Sequence, residues 1–118
     1  MVRLDQDLIL LDANGDVIPV YIEGDAPDEL PAEYFTVSED YTSNAVSADN
    51  KAKAHLYEFT LKWYTQDAER LYSGLIDAIE QLKGKGYDAE GVGYHNGTYQ
   101  NLWFSRMVDI EKIDYLEE

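Results

Sequence analysis

The residues from His55 to Tyr87 change their hydrophobic period from two to about 3.6 within a few positions, and this change constrains the fold more than any other feature. The first part alternates as a half-buried strand does, with five residues on the inward face: His55, Tyr57, Phe59, Leu61 and Trp63. The second part carries an apolar helical stripe: Ala68, Leu71, Leu75, Ala78, Ile79 and Leu82. Asp67 is the predicted N-cap, and Gly84 or Gly86 the predicted end. The pattern predicts a sheet with a helix packed on it.

The remaining segments are predicted from turn residues and local periodicity. We expect a short helix over 3–13, an edge strand over 17–23, an exposed loop over 24–33 and a strand over 34–41. A long loop or mobile hairpin tip that orders on assembly is expected over 42–54. After the helix we expect a short strand over 87–94, a turn at Asn96-Gly97 and a final long strand from Leu102. The expected architecture is a single α+β domain over 1–118. It has a mainly antiparallel or mixed sheet of four or five strands, with two helices on one face.

Charge is the most unusual feature of the composition. The chain has 24 acidic and 9 basic residues, which gives a formal net charge of −15. Nucleic acids are bound through lysine and arginine, so this balance argues against specific DNA or RNA binding. It favours either simple solubility or a surface that repels nucleic acid. Ten tyrosines suit a half-exposed sheet or an interface.

Cysteine is absent, which excludes disulfides and thiolate metal sites. Residues 1–16 have acidic residues at Asp5 and Asp7 and only three adjacent strong hydrophobes, so we expect neither a signal peptide nor a membrane-spanning segment.

Four oxygen-bearing residues match the spacing of a calcium loop: Asp12, Asn14, Asp16 and Glu23. Val17 stands where such a loop needs glycine, and a strand is predicted where a helix should follow. We therefore interpret these residues as a turn.

The two histidines, His55 and His95, lie on different predicted elements and outside any metal-binding spacing. No serine lies in a nucleophile elbow, and the glycines after the helix do not follow a strand as a phosphate loop does. The sequence predicts no catalytic, cofactor-binding or metal-binding residue. A hydrolase built on either histidine and a carboxylate is the weakest of three hypotheses.

A stretch from about residue 30 to 105 resembles a family of small tail-completion proteins of long-tailed phages and prophages of Gram-positive bacteria. The matching motifs are Leu30-Pro31, Tyr34-Phe35-Thr36, Asp49-Asn50-Lys51, the aromatic-rich strand end Leu61 to Tyr64, the helix from Asp67 to Leu82, and the turn into "EGVGY". The family usually has proline at the first helical position, where this chain has Ala68. Alanine suits a helix equally well, so the departure leaves the expected fold unchanged.

The resemblance implies a tail terminator, a structural protein without catalytic activity that caps the head-proximal end of the tail tube as a ring, commonly sixfold. Its implied partners are copies of itself, the tail tube protein and a head-completion protein. Its implied place is the virion tail, after assembly in the host cytoplasm. Seven residues are candidates for protein contacts: Tyr34, Asp49, Asn50, Lys51, Tyr57, Trp63 and Trp103. The second hypothesis is a monomeric acidic binding module or inhibitor that recognises a basic partner.

Overall fold

The computed structural model describes residues 2–48 and 51–115. It contains α1 (Leu4–Asp7), β1 (Val20–Ile22), β2 (Glu33–Ala48), β3 (Lys51–Thr65), α2 (Arg70–Gly84), β4 (Asp88–Ala89), β5 (Tyr94–Tyr99) and β6 (Trp103–Tyr115). The fold is α+β, as predicted, and the sheet has six strands in the order β1-β2-β3-β6-β4, with β5 also paired to β6. Among the described strands, the β1–β2 pair alone is parallel.

The helices cover one face of this sheet, where the hydrophobic core lies. Cross-strand partners share a face, so the register places Phe35, Trp63 and Arg106 in one row. Val37, Leu61 and Val108 form the next row. The core is completed from both helices and the N-terminal segment by Val2, Leu4, Leu8, Ile18, Leu75, Ala78, Ile79 and Leu82. The predicted inward face of β3 and the apolar stripe of α2 from Leu71 to Leu82 are therefore confirmed. Ala68, which was predicted to begin this stripe, precedes the helix and is exposed. We call the opposite sheet face the open face.

Trp63 fixes the position of α2 on the sheet. Its indole is fully buried, lies 4.6 Å from the Phe35 ring centroid, and donates a hydrogen bond of 3.1 Å to the Arg70 carbonyl. Gly74 faces the indole so closely that a Cβ atom there would overlap the ring. The absence of a side chain at Gly74 thus permits the contact between helix and sheet.

The start of α2 differs slightly from the prediction. The helix begins at Arg70, and Asp67 stabilises the turn before it, because its carboxylate accepts a hydrogen bond from the Glu69 amide. The offset is within the usual variation of helix boundaries.

The N-terminal helix prediction over 3–13 is largely wrong. The helix is limited to four residues, Leu4–Asp7, and Leu8 is already extended. Leu11 instead forms an antiparallel bridge with Val17 and is exposed. The helical spacing of Leu11 from Leu4 and Leu8 therefore did not indicate a buried position for Leu11. The edge position predicted for the strand after Pro19 is confirmed by β1.

The irregular loop or hairpin tip predicted over 42–54 is replaced in the described part by regularly paired strands. Residues 42–48 belong to β2 and 51–54 to β3, and they pair antiparallel with register shifts between Asn44 and Val46 and between Val46 and Ser47. The prediction considered only the shortage of apolar side chains. Backbone pairing with a neighbouring strand satisfies the amides of a polar segment without burying its side chains. The paired end of β2 and start of β3 lengthen the described molecule, which measures 52 × 25 × 23 Å along its principal axes.

The turn predicted at Asn96-Gly97 lies elsewhere. These residues are inside β5, at a register irregularity between His95 and Thr98. The chain reverses at Gln100 and Asn101, both of which have positive φ, as a type I′ turn requires. The Asn96 side chain donates a hydrogen bond of 3.1 Å to the Ser105 hydroxyl, which helps hold the pair within the sheet.

Gly74→Ala is expected to lower the free energy of unfolding by about 1–3 kcal/mol, because the added methyl group overlaps Trp63. Alanine is otherwise the better helix former. Gly84→Ala is the matched control, since a Cβ there meets open space. Urea unfolding of both variants checks the contact. Equal stability of the two would contradict the described packing of α2.

Candidate functional site

The open face divides into an aromatic end and an acidic band. The aromatic end is formed by Tyr34, Tyr64, Tyr99 and Trp103. Tyr34 and Tyr64 stack with their ring centroids 4.6 Å apart and their planes at 9°. The Trp103 indole donates a hydrogen bond of 3.0 Å to the Pro31 carbonyl, which joins the loop before β2 to this cluster. A second, smaller core thus lies on the face away from the helices.

A groove of about 430 Å³ opens over this aromatic end, and we call it the tyrosine groove. Tyr34, Tyr64 and Thr36 contribute to it from the sheet. The loop before β2 contributes Glu23 and Asp28, the end of β5 contributes Tyr99, and the β5–β6 turn contributes Gln100. Burial raises the pKa of Tyr34, so its hydroxyl stays protonated at neutral pH. Two carboxylates and three tyrosine rings therefore surround one concave surface.

A second groove lies nearer the middle of the sheet and is lined by six acidic residues. We call these residues the acidic band: Asp40, Glu58, Asp88, Glu90, Asp109 and Glu111. Glu111 lies directly opposite Glu58 on one side and Asp88 on the other. Like charges at directly opposed positions destabilise a sheet, so this row is unfavourable for folding. Among the described residues, no group of three or more His, Cys, Asp or Glu side chains has the geometry to hold a metal ion.

Both edges of the sheet expose apolar residues. Residues 8–11 lie beside 17–18, which lead into β1, and expose the first-edge patch of Ile9, Leu11 and Val17. Gln81 of α2 exchanges two hydrogen bonds with the backbone of Ile9, which ties this segment down. The unpaired side of β2 continues this edge, because β1 pairs only with Phe35, Thr36 and Val37 within the described residues.

The second-edge patch lies at the opposite side of the sheet, next to β5. It consists of Tyr72, Val92 and Tyr94, each at least half exposed. Arg106 lies beneath it, with its guanidinium carbon 4.0 Å from the Tyr72 ring centroid and a hydrogen bond of 2.8 Å to the Gly93 carbonyl. Arg106 is buried, and its Nε atom has no hydrogen-bond partner among the described residues. The patch therefore covers an incompletely satisfied cation.

The residues predicted as protein contacts occupy different environments. Trp63 is fully buried under α2, and Tyr34 and Trp103 are almost fully buried on the open face. Their rings build the two cores, so they have little surface to offer a partner. Tyr57 packs against the edge of the helix-side core. Asp49 and Asn50 lie outside the described residues, and Lys51 begins β3. The exposed apolar surface that we expected at these aromatic residues lies instead on the two edge patches.

The two histidines lie far apart. His95 is opposite Arg106 on β6, whereas His55 is opposite Asp114, eight residues further along the same strand. This separation is about 26 Å at 3.3 Å per strand residue. His95 Nδ1 accepts a hydrogen bond from the Gly97 amide, and His55 packs edge-on to Tyr57.

The segment from Asp12 to Asp16, which has the spacing of a calcium loop, forms a turn, as predicted from the sequence. The Asp12 carboxylate accepts hydrogen bonds from the amides of Asn14 and Asp16, and the Asp12 amide donates to the Asp16 carbonyl. The described strands place Glu23 beside Lys62, with which it forms a salt bridge of 2.7 Å. These contacts account for the oxygen-rich residues through turn geometry and ion pairing.

Comparison with known proteins provides no relatives for this arrangement. No family model, curated protein or solved structure matches the chain. None of the described helices combines the length and apolar character needed to cross a membrane.

Glu111→Gln is expected to raise the free energy of unfolding by about 0.2–1 kcal/mol, because it removes the charge opposite both Glu58 and Asp88. The gain should shrink at high salt, which screens the repulsion in the parent protein. Glu80→Gln removes one charge from an exposed position on α2 and is the control. Denaturant unfolding at two salt concentrations checks both variants. Equal effects of the two would attribute the gain to net charge and not to the acidic row.

Proposed function

We propose that this protein is a structural protein that self-associates head to tail into a ring, as tail terminators do at the end of a phage tail tube. The observation that carries the proposal is the presence of two unlike apolar patches at opposite sheet edges. A head-to-tail interface joins two different surfaces and closes into a ring when the rotation between copies permits. The sequence resemblance over residues 30–105 supports the same conclusion.

The edges also offer unpaired backbone groups. The outer side of β2 from Ser38 to Ala48 and the outer side of β5 have no strand partner among the described residues. Long unpaired edges are sites at which another chain adds a strand. Contact between the β2 side of one copy and the β5 side of the next would bury both edge patches. It would also cover the surface above Arg106.

The acidic band then has a role in the assembled ring. A band of carboxylates facing the central passage repels the phosphates of DNA, so that DNA passes without binding. In this proposal the row of Glu58, Glu111 and Asp88 contributes negative charge to the passage, although the repulsion within the row lowers the stability of the fold. The proposed neighbours are the tail tube protein on one side and a head-completion protein on the other, within the virion tail.

Ring formation by a chain of charge −15 should strengthen with salt, because screening weakens repulsion between copies while apolar contacts persist. We expect the mass measured by light scattering after size-exclusion chromatography to rise with protein concentration and with salt. A mass that stays monomeric under all these conditions would contradict spontaneous assembly. Adding purified tail tubes would then test whether the tube end acts as the template. Failure to bind tube ends would overturn the proposal.

A complementation experiment tests the head-to-tail geometry. Leu11→Ser disables the first-edge patch and Tyr94→Ser the second, so each variant alone should remain monomeric. Mixing the two should produce dimers, because each variant keeps the patch that the other lacks. Ile113→Ser, an exposed apolar change on β6, is the control and should assemble normally. Dimers in either variant alone, or none in the mixture, would contradict the geometry.

The acidic band also favours a second candidate function, a monomeric module that binds a basic partner. Six carboxylates around one groove complement a positively charged surface. Salt distinguishes the two candidates, because association with a basic partner weakens as salt rises whereas self-association of this acidic chain strengthens.

A further inference from the structure

We propose that the tyrosine groove is a binding site for a lysine or arginine side chain presented by a basic segment of a partner protein. The site is separate from the two edge patches, so the inference does not depend on ring formation. Aromatic faces attract cations, and the attraction is strongest where carboxylates add their charge and water is partly excluded.

The tyrosine groove has the chemical character that such a side chain requires. Tyr64 and Tyr99 provide aromatic surface, and the buried Tyr34 ring supports Tyr64 by stacking on it. Glu23, which is paired with Lys62, and Asp28 place carboxylates at the rim of the groove. The residues that line the groove include no lysine or arginine. A volume of about 430 Å³ is enough for one long side chain together with part of its backbone.

The rest of the fold shows how this chain uses aromatic rings near cations. Arg70 lies over Trp63, Arg106 over Tyr72 and Lys112 over Tyr87, at 5.8, 4.0 and 4.6 Å from the ring centroids. The tyrosines of the groove have no such cation above them among the described residues. The nearby cation Lys62 pairs with Glu23. The groove therefore has aromatic surface and one carboxylate, that of Asp28, with no cation beside them among the described residues.

The size of the groove favours a protein side chain over a small free cation. Its lining comes from the loop before β2, from β2, β3 and β5, and from the β5–β6 turn, so a bound side chain can contact several elements. Aliphatic stems of lysine and arginine pack on tyrosine rings while the charged end reaches a carboxylate. Asp28 has no salt-bridge partner among the described residues, and its carboxylate remains for this contact.

The test uses a fluorescently labelled peptide of alternating glycine and arginine or lysine, titrated into the full-length protein at low salt. Tyr99→Ser should weaken binding about threefold to tenfold, and Asp28→Asn should weaken it and reduce its salt dependence. Tyr115→Ser and Asp16→Asn are matched controls, since both residues are exposed on other parts of the surface, and they should bind as the parent does. Backbone amide shifts should be centred on residues 23–36 and 99–103.

Three results would overturn the inference. Equal binding by all four variants would mean that the peptide responds only to overall charge. Equal binding of a citrulline peptide of the same length would show that no cation is recognised. Tighter binding of spermine than of the peptide, with the same dependence on Tyr99 and Asp28, would assign the groove to a free polyamine. Repeating the titration on Leu11→Ser, which should not form rings, separates this site from the proposed assembly.

Discussion

The packing of Trp63 against Gly74 is the contact on which the rest of the structure depends. A fully buried indole at this position brings α2 onto β3 and directs its apolar stripe at the sheet. The same ring contacts Phe35 of β2, so one side chain links the helix to two strands. Because α2 occupies this face, the opposite face of the sheet is left for other uses.

The open face combines features that oppose one another in folding. At one end, aromatic rings pack closely and stabilise the sheet. In the middle, carboxylates lie directly opposite one another, which costs stability. Each arrangement suits a different external contact, a cationic side chain in the tyrosine groove and a charged passage or basic surface beside the acidic band. Together with the two edge patches, they are the surfaces on which the proposed contacts with other macromolecules depend.

Arg106 connects this surface with the interior. Its guanidinium lies in the same row as Phe35 and Trp63, yet it has a carbonyl and a tyrosine ring as neighbours in place of a carboxylate. A buried charge without an ionic partner is costly unless other contacts compensate. Its position under Tyr72 places that cost directly beneath the second-edge patch. A neighbouring copy that covers this patch would also change the environment of the cation.

Much of the helix-side architecture could be predicted from periodicity. The alternation from His55 to Trp63 and the stripe from Leu71 to Leu82 identified the core face, because burial of one face leaves a period in the sequence. Three local predictions were wrong because tertiary pairing competed with local signals. Residues 42–48 joined β2 through backbone pairing, Asn96-Gly97 was held inside β5, and Leu11 left its helical spacing to bridge Val17.

The sequence by itself determined the fold class, the acidity, and the face of β3 and of α2 that would be buried, because these follow from composition and from spacing along one element. The tertiary structure alone decided which residues meet across elements. It assembled the tyrosine groove from two loops and three strands, opposed Glu58 to Glu111, and placed apolar patches at opposite edges. Such juxtapositions depend on strand order and register, which set distances between residues far apart in the chain, and no period within a single segment records them.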